Sequence, residues 1–567
     1  MMSTAALARA LRKPPRKSPR TGLAVLADPA RLSGQAGLGG LAGLAGLALL
    51  TALAGCGGTS TPDRHMLIDS RDSYDPRSLD PALSTDVPTG RAVSYVFDGL
   101  ARFTPKAEVV PDLATSWQLA SDGVTYTFHL KQGVRFHDGT HFSAADVRHS
   151  WERALDPRTQ GGRGWPLYPI QGAKEFAAGT AKSIAGLTVV DDSTIRVTLT
   201  EPFAIFPKML AMPATAIVPM RTPPDFGEHP IGTGPWKFVA WHHDDYLLFA
   251  RNEQYHDGAP LTDSLEARII PEQSTAEAEF EGGNVDVLQV PAQESPSWEA
   301  NDEQRPLLQS APSLRLIYGA INTTRGPLRD VRVRQAINLA VDRGMILKRL
   351  LGGRGTLAAG VIPPSLDGFD PSLAAYPYDS ARARALLREA GYPNGIDIEL
   401  WTSQSEQFPR IAQTIQAYLG RVGVRVKIVQ RDASSMREAA RNGKTDIALK
   451  DWYADYPDAE NFLYPLLHSA NRGVGGNVSF FSNATFDSVV SRARREPDDQ
   501  KRFALYRQAD SLAHAQAPML FMFFYTELYA VQPWVRGFTV PSIFTGERWT
   551  KAYIERPADA SGRKAKK

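Results

Sequence analysis

Acids and aromatic residues alternate in the segment "DWYADYPDAENF", which spans residues 451–462. Its acids and rings are Asp451, Trp452, Tyr453, Asp455, Tyr456, Asp458 and Phe462. Aromatic walls around one carboxylate suit a ligand cation with an apolar body, because a cation in a water-poor site needs an acidic partner. The alternative is an acidic turn whose aromatic residues are buried for packing. The elements that position the segment decide between these interpretations.

The segment follows the third strand of an alternating unit. Strands are predicted at 396–400, 424–430 and 446–450, and helices separate them, the second at about 434–442. This β-α-β-α-β order predicts parallel strands joined by right-handed crossovers. Ligands of open α/β sheets bind beyond the carboxyl ends of the strands, and "DWYADY" begins where the third strand is predicted to end. This position favours ligand binding over packing.

Periodicity elsewhere predicts a β-rich first half and more helices in the second half. Hairpins are predicted at 187–200 and 232–252, and "SAAD" at 143–146 matches a helix capping box. Apolar residues recur at helical spacing from Val333 to Val341. Together these elements predict an α/β protein.

The chain of 567 residues is long enough for about two to four domains. Its composition, 43% hydrophobic and 22% charged, is typical of a soluble globular protein. The formal net charge of +3 depends on the first 55 residues, which hold seven bases and one acid; without them it is −3. No basic stripe suggests nucleic acid as a partner.

The N-terminus has the order of an export signal: a basic region, an apolar run at 38–55, and then Cys56, the one cysteine of the chain. "LAGC" (53–56) resembles the lipobox of bacterial lipoproteins, whose cysteine is lipidated. We therefore expect residues 1–55 to be a signal peptide and residues 56–65 a flexible tether. The mature protein would be in the periplasm, held to a membrane by a lipid on its cysteine. The alternative is an uncleaved anchor, although the run is short and glycine-rich for a full span.

The motifs of common catalytic and metal sites are missing from the sequence. His137 and His141 are four residues apart, but they flank a predicted turn rather than lie on a helix, and HExxH is absent. There is no G-x-S-x-G elbow, and the glycine-rich segments lack the pattern of a phosphate loop. A carboxylate pair such as Asp451 and Asp455 is too common to indicate a glycosidase. We expect no metal, no cofactor and no enzyme activity.

Four parts of the chain stand in a specific order. They are "YTFHLKQGVRFHDGTHFSAADV", "PIGTGPWKF", "RDVRVRQAINLAVDR" with "ALLREAGYPNG", and "DWYADYPDAENFL". In this order they resemble the extracytoplasmic oligopeptide- and dipeptide-binding proteins of ABC importers. The resemblance covers roughly residues 67–545 of this chain.

The resemblance implies an α/β, type II-like periplasmic-binding-protein fold, in which two lobes close around a central cleft. It also implies three domains, with two strands that cross between the lobes as a hinge. Domain I would comprise 66–100, 213–320 and 521–557, domain II 101–212, and domain III 321–520.

The resemblance further implies a set of ligand-binding residues. They are Asp86, Val87, Asp451, Trp452, Tyr453 and Asp455. Asp455 would pair with the α-ammonium of a peptide, and the Trp-Tyr pair before it would wall the first side chain. Backbone groups of Asp451 and Tyr453 would pair with the peptide like an added β-strand, with the loop "TDVP" (85–88) on the other side. The alternative for Asp455 is that it only caps the following turn.

The expected function is to capture short peptides and deliver them to an ABC transporter permease in the inner membrane. We expect the receptor to be a monomer. Two departures leave peptide length and side-chain preference open. In the best-known members, an arginine that helps to hold the peptide carboxylate stands where this chain has Leu449, followed by Lys450. A tryptophan that lines a side-chain pocket in those members is replaced by Ala433. The alternatives are a non-peptide solute on this fold, such as a nickel chelate, glutathione or an oligosaccharide, and, third, a periplasmic hydrolase.

Overall fold

The computed structural model describes residues 66–404 and 407–555. The predicted signal peptide, the tether and Cys56 lie outside these residues. All described residues belong to one compact unit of the chain. Within the described ranges, every helix is too short or too polar to cross a membrane.

Strands occur along the whole described chain. They are β1 (Met66–Asp72), β2 (Ala101–Phe103), β3 (Val109–Pro111), β4 (Ala114–Leu119), β5 (Thr125–Leu130), β6 (Leu187–Asp191), β7 (Thr194–Thr198), β8 (Trp236–His242), β9 (Tyr246–Arg251), β10 (Ser264–Ile269), β11 (Val287–Gln289), β12 (Leu308–Ile321), β13 (Gly355–Leu357), β14 (Ile396–Ser403), β15 (Val424–Arg431), β16 (Ile447–Tyr453), β17 (Met519–Val531), β18 (Val535–Arg536) and β19 (Tyr553–Ile554). Most are short, whereas β12 and β17 have 14 and 13 residues.

The α-helices are concentrated in the second half, as the periodicity predicts. They are α1 (Val87–Val96), α2 (Ala144–Leu155), α3 (Ala173–Ala177), α4 (Phe206–Met209), α5 (Gln273–Glu281), α6 (Ser295–Ala300), α7 (Val331–Ala340), α8 (Arg343–Leu350), α9 (Ser380–Glu389), α10 (Gln407–Gly420), α11 (Ala433–Arg441), α12 (Glu460–Leu467), α13 (Ala484–Arg495) and α14 (Asp499–Gln516). The predicted apolar stripe that starts at Val333 is buried along α7.

A single large sheet joins the two halves of the fold. Within the described residues it has eleven strands, in the order β15-β14-β16-β12-β17-β11-β1-β10-β9-β8, with β13 paired to β17 beside this path. β14 is parallel to both β15 and β16, which confirms the predicted β-α-β-α-β unit. The long antiparallel strands β12 and β17 lie at the centre of the sheet and connect its two sides.

A smaller antiparallel sheet has the order β4-β5-β7-β6. Its β6–β7 hairpin and the β8–β9 hairpin of the large sheet confirm the two predicted hairpins. The predicted capping box also forms at the start of α2, where the N–H of Ser143 donates to Oδ2 of Asp146 at 2.8 Å.

The centre of the large sheet is buried on both faces. Along β17, Leu520 and Met522 pack in the cluster that contains α7 and α10, whereas Met519 and Phe521 pack in the cluster that contains α13 and α14. Burial on two faces explains why "MLFMFFY" is apolar without alternation. The sheet thereby forms a firmly packed base for the end of β16.

Candidate ligand-binding site

Strand β16 extends beyond the predicted strand and includes the first part of the acidic segment. The sequence predicts a strand over 446–450, but β16 continues to Tyr453. It does so because β12 pairs with it along this whole length, with Arg315 opposite Tyr453. Asp451 is therefore a strand residue. Asp455 lies two residues beyond the end of the strand.

One edge of β16 is open along its last residues. β14 pairs with β16 opposite Ile447 and Ala448. Past that point, no strand of the described residues covers positions 449–453 on this side. An open strand edge presents unpaired backbone donors and acceptors to any chain that lies beside it.

The hydrogen bonding to β12 shows which backbone groups face the open edge. The N–H of Ala454 donates to the carbonyl of Leu314 in β12 at 2.9 Å. Backbone groups point alternately to the two sides of a strand. Those of Asp451 and Tyr453 therefore point away from β12, toward the open edge.

Asn461 organises the turn that follows β16. Its Oδ1 accepts from Nε1 of Trp452 and from the N–H of Asp455, both at 3.1 Å. Asp458 caps the next residues by accepting from the N–H of Glu460 at 3.0 Å. Tyr456 is fully buried, so the packing explanation holds for that ring, whereas the ring of Trp452 is only partly buried.

The carboxylate of Asp455 is buried and paired with a cation. Its side chain is 8% exposed, and Nη2 of Arg163 donates to its Oδ1 at 2.9 Å. Burial raises the pKa of this carboxyl group above its ordinary value, although the guanidinium of Arg163 acts in the opposite direction. Among the described residues, no backbone N–H of the turn donates to this carboxylate. A buried carboxylate that needs a cation has the property required of an ammonium anchor.

Arg163 lies in the loop "GGRGW", residues 161–165, which the sequence reasoning missed. A Cβ on Gly162 would lie 3.1 Å from Cγ2 of Thr85, so this loop runs directly against the "TDVP" loop. On its other side, the ring of Trp165 lies 6.2 Å from the ring of Tyr456. The loop thus connects the two separate parts of the predicted site.

The side chain of Asp86 is used by the fold. It caps α1 by accepting from the N–H of Thr89 at 3.0 Å, and it lies 3.6 Å from the guanidinium of Arg77. Val87 is the first residue of that helix and packs partly buried against the largest core cluster. A contact between Asp86 and a ligand would therefore involve its backbone.

The side chain of Asp451 also has a structural partner. It lies 2.7 Å from the guanidinium of Arg315 on the neighbouring strand, which in turn lies 5.0 Å from the ring centre of Tyr525. The ring of Tyr453 lies on the same face of the sheet, 5.6 Å from that of Phe544. This local pairing leaves the backbone of Asp451 free for a ligand.

Leu449, one of the two positions that depart from the resemblance, and its neighbour Lys450 lie on opposite faces of β16. Leu449 is completely buried in the core cluster beside α7 and α10. Lys450 lies on the other face, with Nζ 6.0 Å from the ring centre of Tyr318. Burial lowers the pKa of Lys450 to about 8. Leu449 therefore acts as a packing residue.

A cavity of about 410 Å³ lies beside the turn. Its charged lining includes Lys106, Lys208, Asp367 and Asp458, and none of the predicted ligand-binding residues lines it. Lys208 and Asp458 form an ion pair at 2.7 Å. This is a second ion pair between the acidic segment and the first half of the chain.

Another acidic cluster has the ligand types of a metal site. Asp98, Asp112 and His256 offer ligand atoms within 4.8 Å of one another. However, the guanidinium of Arg548 lies 2.6 Å from Asp98 and 3.4 Å from Asp112. The guanidinium of Arg102 also lies 3.7 Å from Asp112, so two arginines already serve the two acids and the cluster forms an ion-pair network without need of a metal.

Comparison with known proteins identifies the family. The model of "Bacterial extracellular solute-binding proteins, family 5 Middle" matches residues 108–474. The chain is 31% identical over 491 residues to Heme-binding protein A of Haemophilus influenzae, covering 82% of this chain and 88% of that protein. It is 31% identical over 490 residues to the Dipeptide-binding protein of Escherichia coli, covering 82% and 90%. It is 32% identical over 459 residues to Glutathione-binding protein GsiB of Pectobacterium atrosepticum, covering 78% and 86%.

A solved structure shows the same fold. It is "ABC transporter-associated periplasmic binding protein DppA from Helicobacter pylori in complex with peptide STSA", with a TM-score of 0.73, 29% identity, and coverage of 86% of this chain and 98% of that one. This match confirms the predicted α/β periplasmic-binding-protein fold. The family consists of binding proteins rather than enzymes, which confirms the non-enzymatic prediction and excludes the hydrolase alternative. The chain belongs to family 5 of the bacterial extracellular solute-binding proteins.

Proposed function

We propose that this protein is an extracytoplasmic receptor that captures short peptides by their amino-terminal end and delivers them to an ABC transporter permease in the inner membrane. The observation that carries the proposal is the open edge of β16, which leads to the buried carboxylate of Asp455. The name of the dipeptide-binding relative and the peptide in the similar structure support a peptide ligand.

The open edge supplies a way to bind many peptide sequences. An extended peptide beside β16 pairs with the backbone groups of Asp451 and Tyr453, which face the open edge. Backbone pairing recognises the atoms that all peptides share. The rings of Trp452 and Tyr453 then form the walls around the first side chain.

Asp455 supplies the amino-terminal specificity. The ligand ammonium pairs with its carboxylate, which burial makes costly to ionise without a cation. A carboxylate can accept from more than one donor, so the ammonium can bind while Arg163 is still nearby. The direction of the peptide follows, because its ammonium lies at the turn and its backbone lies along the strand.

Calorimetry of the mature chain with a library of di- to pentapeptides tests this function. We expect saturable binding of several peptides with free amino termini. The peptide assignment is wrong if no library member binds while a nickel chelate or an oligosaccharide binds tightly.

The second candidate is a non-peptide or modified-peptide solute on the same fold. The names of relatives favour it, because they include proteins that bind haem and glutathione. Glutathione and haem therefore belong in the same calorimetric series. Binding of one of these, with no binding of unmodified peptides, would favour this candidate.

We also propose that the mature protein is a lipoprotein of the periplasm, anchored through Cys56. The support is the basic and apolar N-terminus followed by "LAGC". Stable anchoring requires more than one acyl chain on this cysteine. Cys56→Ser should move the protein from the membrane fraction to the soluble envelope fraction. If the variant stays with the membrane, the apolar run is an uncleaved anchor.

A further inference from the structure

Arg163 already provides a cation for the proposed ammonium anchor. It donates to Asp455 across 292 positions of the sequence, and 25% of its side chain is exposed. Pairing at this distance in the sequence joins two parts of the chain that we place in different domains. A ligand therefore meets a carboxylate and a guanidinium together, rather than a carboxylate alone.

The loop that carries Arg163 is closely packed. A Cβ on Gly161 would lie 3.0 Å from the backbone oxygens of Ala154 and Ala82, and one on Gly164 would lie 2.4 Å from a methyl carbon of Leu155. Larger residues at these positions would displace the loop. Glycines at these positions let the loop pack closely against its neighbours. This packing fixes the position of Arg163 beside Asp455.

The other acids near the turn have their own cations. Asp451 is paired with Arg315, and Asp458 is paired with Lys208. Asp455 and Arg163 therefore balance each other, and neither is needed to compensate Asp451 or Asp458. A ligand that brings only an ammonium shares Asp455 with Arg163 and adds one uncompensated positive charge, so it binds less tightly than a ligand that also supplies a negative charge.

A ligand head that also carries a carboxylate avoids this cost. Its ammonium pairs with Asp455 and its carboxylate pairs with Arg163, so the four charges cancel. A guanidinium has five N–H donors in a planar fork that suits a carboxylate, and the bond from Nη2 to Asp455 uses one of them.

We propose that Arg163 and Asp455 together form a subsite for an amino-acid head group that carries an ammonium and a carboxylate on the same residue, as in a γ-glutamyl peptide. This inference rests on the proposed function, because it requires Asp455 to receive the ligand ammonium. Arg163 is then a specificity-determining residue, which selects among ligands by the carboxylate of their first residue.

Three probes of equal length test the subsite by calorimetry on the mature chain. They are γ-glutamyl-Ala-Gly, γ-aminobutyryl-Ala-Gly, which lacks only the carboxylate, and glutaryl-Ala-Gly, which lacks only the amine. We expect the γ-glutamyl probe to bind about tenfold or more tightly than either of the others. In Arg163→Gln the site has a negative charge, so the γ-glutamyl probe should weaken and the γ-aminobutyryl probe should strengthen.

Two variants serve as controls. Arg163→Lys keeps the charge and should retain part of the preference for the γ-glutamyl probe. Lys208→Gln breaks the other long-range ion pair, which lies outside the subsite, and should change the affinities of the probes by one common factor. Thermal unfolding of each variant confirms that it is folded.

The outcomes separate this inference from the function on which it rests. If the γ-aminobutyryl probe binds wild type as tightly as the γ-glutamyl probe and the glutaryl probe does not, Asp455 reads the amine but the role of Arg163 is wrong. If the glutaryl probe binds as tightly as the γ-glutamyl probe, the amine is not read, and the proposed anchor itself is wrong. A common effect of Arg163→Gln on all probes, or no binding by any of them, also overturns the subsite.

Discussion

Asp451 and Asp455 are four residues apart, yet their carboxylates have partners of different kinds. Asp451 pairs with Arg315 from the adjacent strand of the same sheet. Asp455 pairs with Arg163 from a loop in a distant part of the chain. The partner of Asp451 lies on the neighbouring strand, whereas the partner of Asp455 comes from a separate loop and is 25% exposed. We propose a structural role for the first acid and a binding role for the second.

Removal of the charge at Asp455 should have the largest effect. Asp455→Asn keeps the shape of the side chain but cannot pair with the ligand ammonium. Loss of one partner from a buried charge pair costs about 3–5 kcal/mol, or roughly two to three and a half decades of affinity. Calorimetry with the best peptide of the library measures this change.

The same variant should leave the empty protein about as stable as wild type. The variant leaves Arg163 without its acid, but it also removes a carboxylate that is only 8% exposed and whose pKa burial raises, so the relief of that burial offsets the lost pairing. The carboxylate of Asp451 is 32% exposed, so its removal brings less relief. A large fall in the unfolding temperature of Asp455→Asn would show that the acid is structural.

The opposite pattern is expected for Asp451. Asp451→Asn leaves Arg315 without its acid in a partly buried position, so we expect a loss of about 1–3 kcal/mol in unfolding free energy. Peptide affinity should change by less than about threefold, because only the backbone of this residue meets the ligand. Denaturant unfolding and calorimetry measure the two quantities. A hundredfold loss of affinity would remove the distinction between the two acids.

Asp510 is a third case, a buried acid that lacks an ion-pair partner among the described residues. Its Oδ1 accepts from the N–H of Val361 at 2.7 Å, and burial raises its pKa to about 7. In the unfolded chain this acid ionises near its ordinary value, so between about pH 4 and pH 7 unfolding releases a proton. Its contribution to stability therefore falls as the pH rises through this window and is flat above it.

Asp510→Asn should reduce this pH dependence. Denaturation midpoints at several pH values measure it for both proteins. Burial raises the pKa of Glu547 to about 7 as well, so Glu547 also lowers stability as the pH rises. Part of the pH dependence should therefore remain in the variant. An unchanged slope in Asp510→Asn would mean that Asp510 is ionised in the folded protein.

The predictable parts of the molecule are those in which local pattern and fold agree. The β-α-β-α-β unit, both hairpins and α7 follow from periodicities of two and 3.6 residues, because each element buries one face. β16 ends three residues later than the sequence predicts. Its last residues, Asp451 to Tyr453, are only partly buried because they border an open edge, and the Lys450–Asp451 pair interrupts the apolar run by which the sequence marks a buried strand.

Arg163 could not be assigned from local pattern. An arginine among glycines in "GGRGW" is a visible signal, but its partner lies 292 residues away, and a pair at such separation leaves no periodic trace. Asp86 shows a related limit. The sequence indicates the position, but only the structure shows that its side chain caps α1 and pairs with Arg77.

Closure of the cleft is the smallest effect that we predict. We propose the three-domain arrangement inferred from the sequence, with β12 and β17 as the crossing strands between lobes. A ligand shifts the protein to the closed form only by its better contacts there. Small-angle scattering should show a slightly smaller radius of gyration with ligand than without. Identical profiles at saturation would indicate a rigid receptor.

The central claim is that the carboxylate of Asp455 binds the amino-terminal ammonium of the ligand. The most direct test compares a free peptide with its N-acetylated form on the wild-type protein and on Asp455→Asn, by calorimetry. We predict that acetylation weakens binding to wild type by roughly two decades or more and has a far smaller effect on the variant. Equal affinity of the free and acetylated peptides for wild type would contradict the claim, and Asp455 would then be only a turn residue.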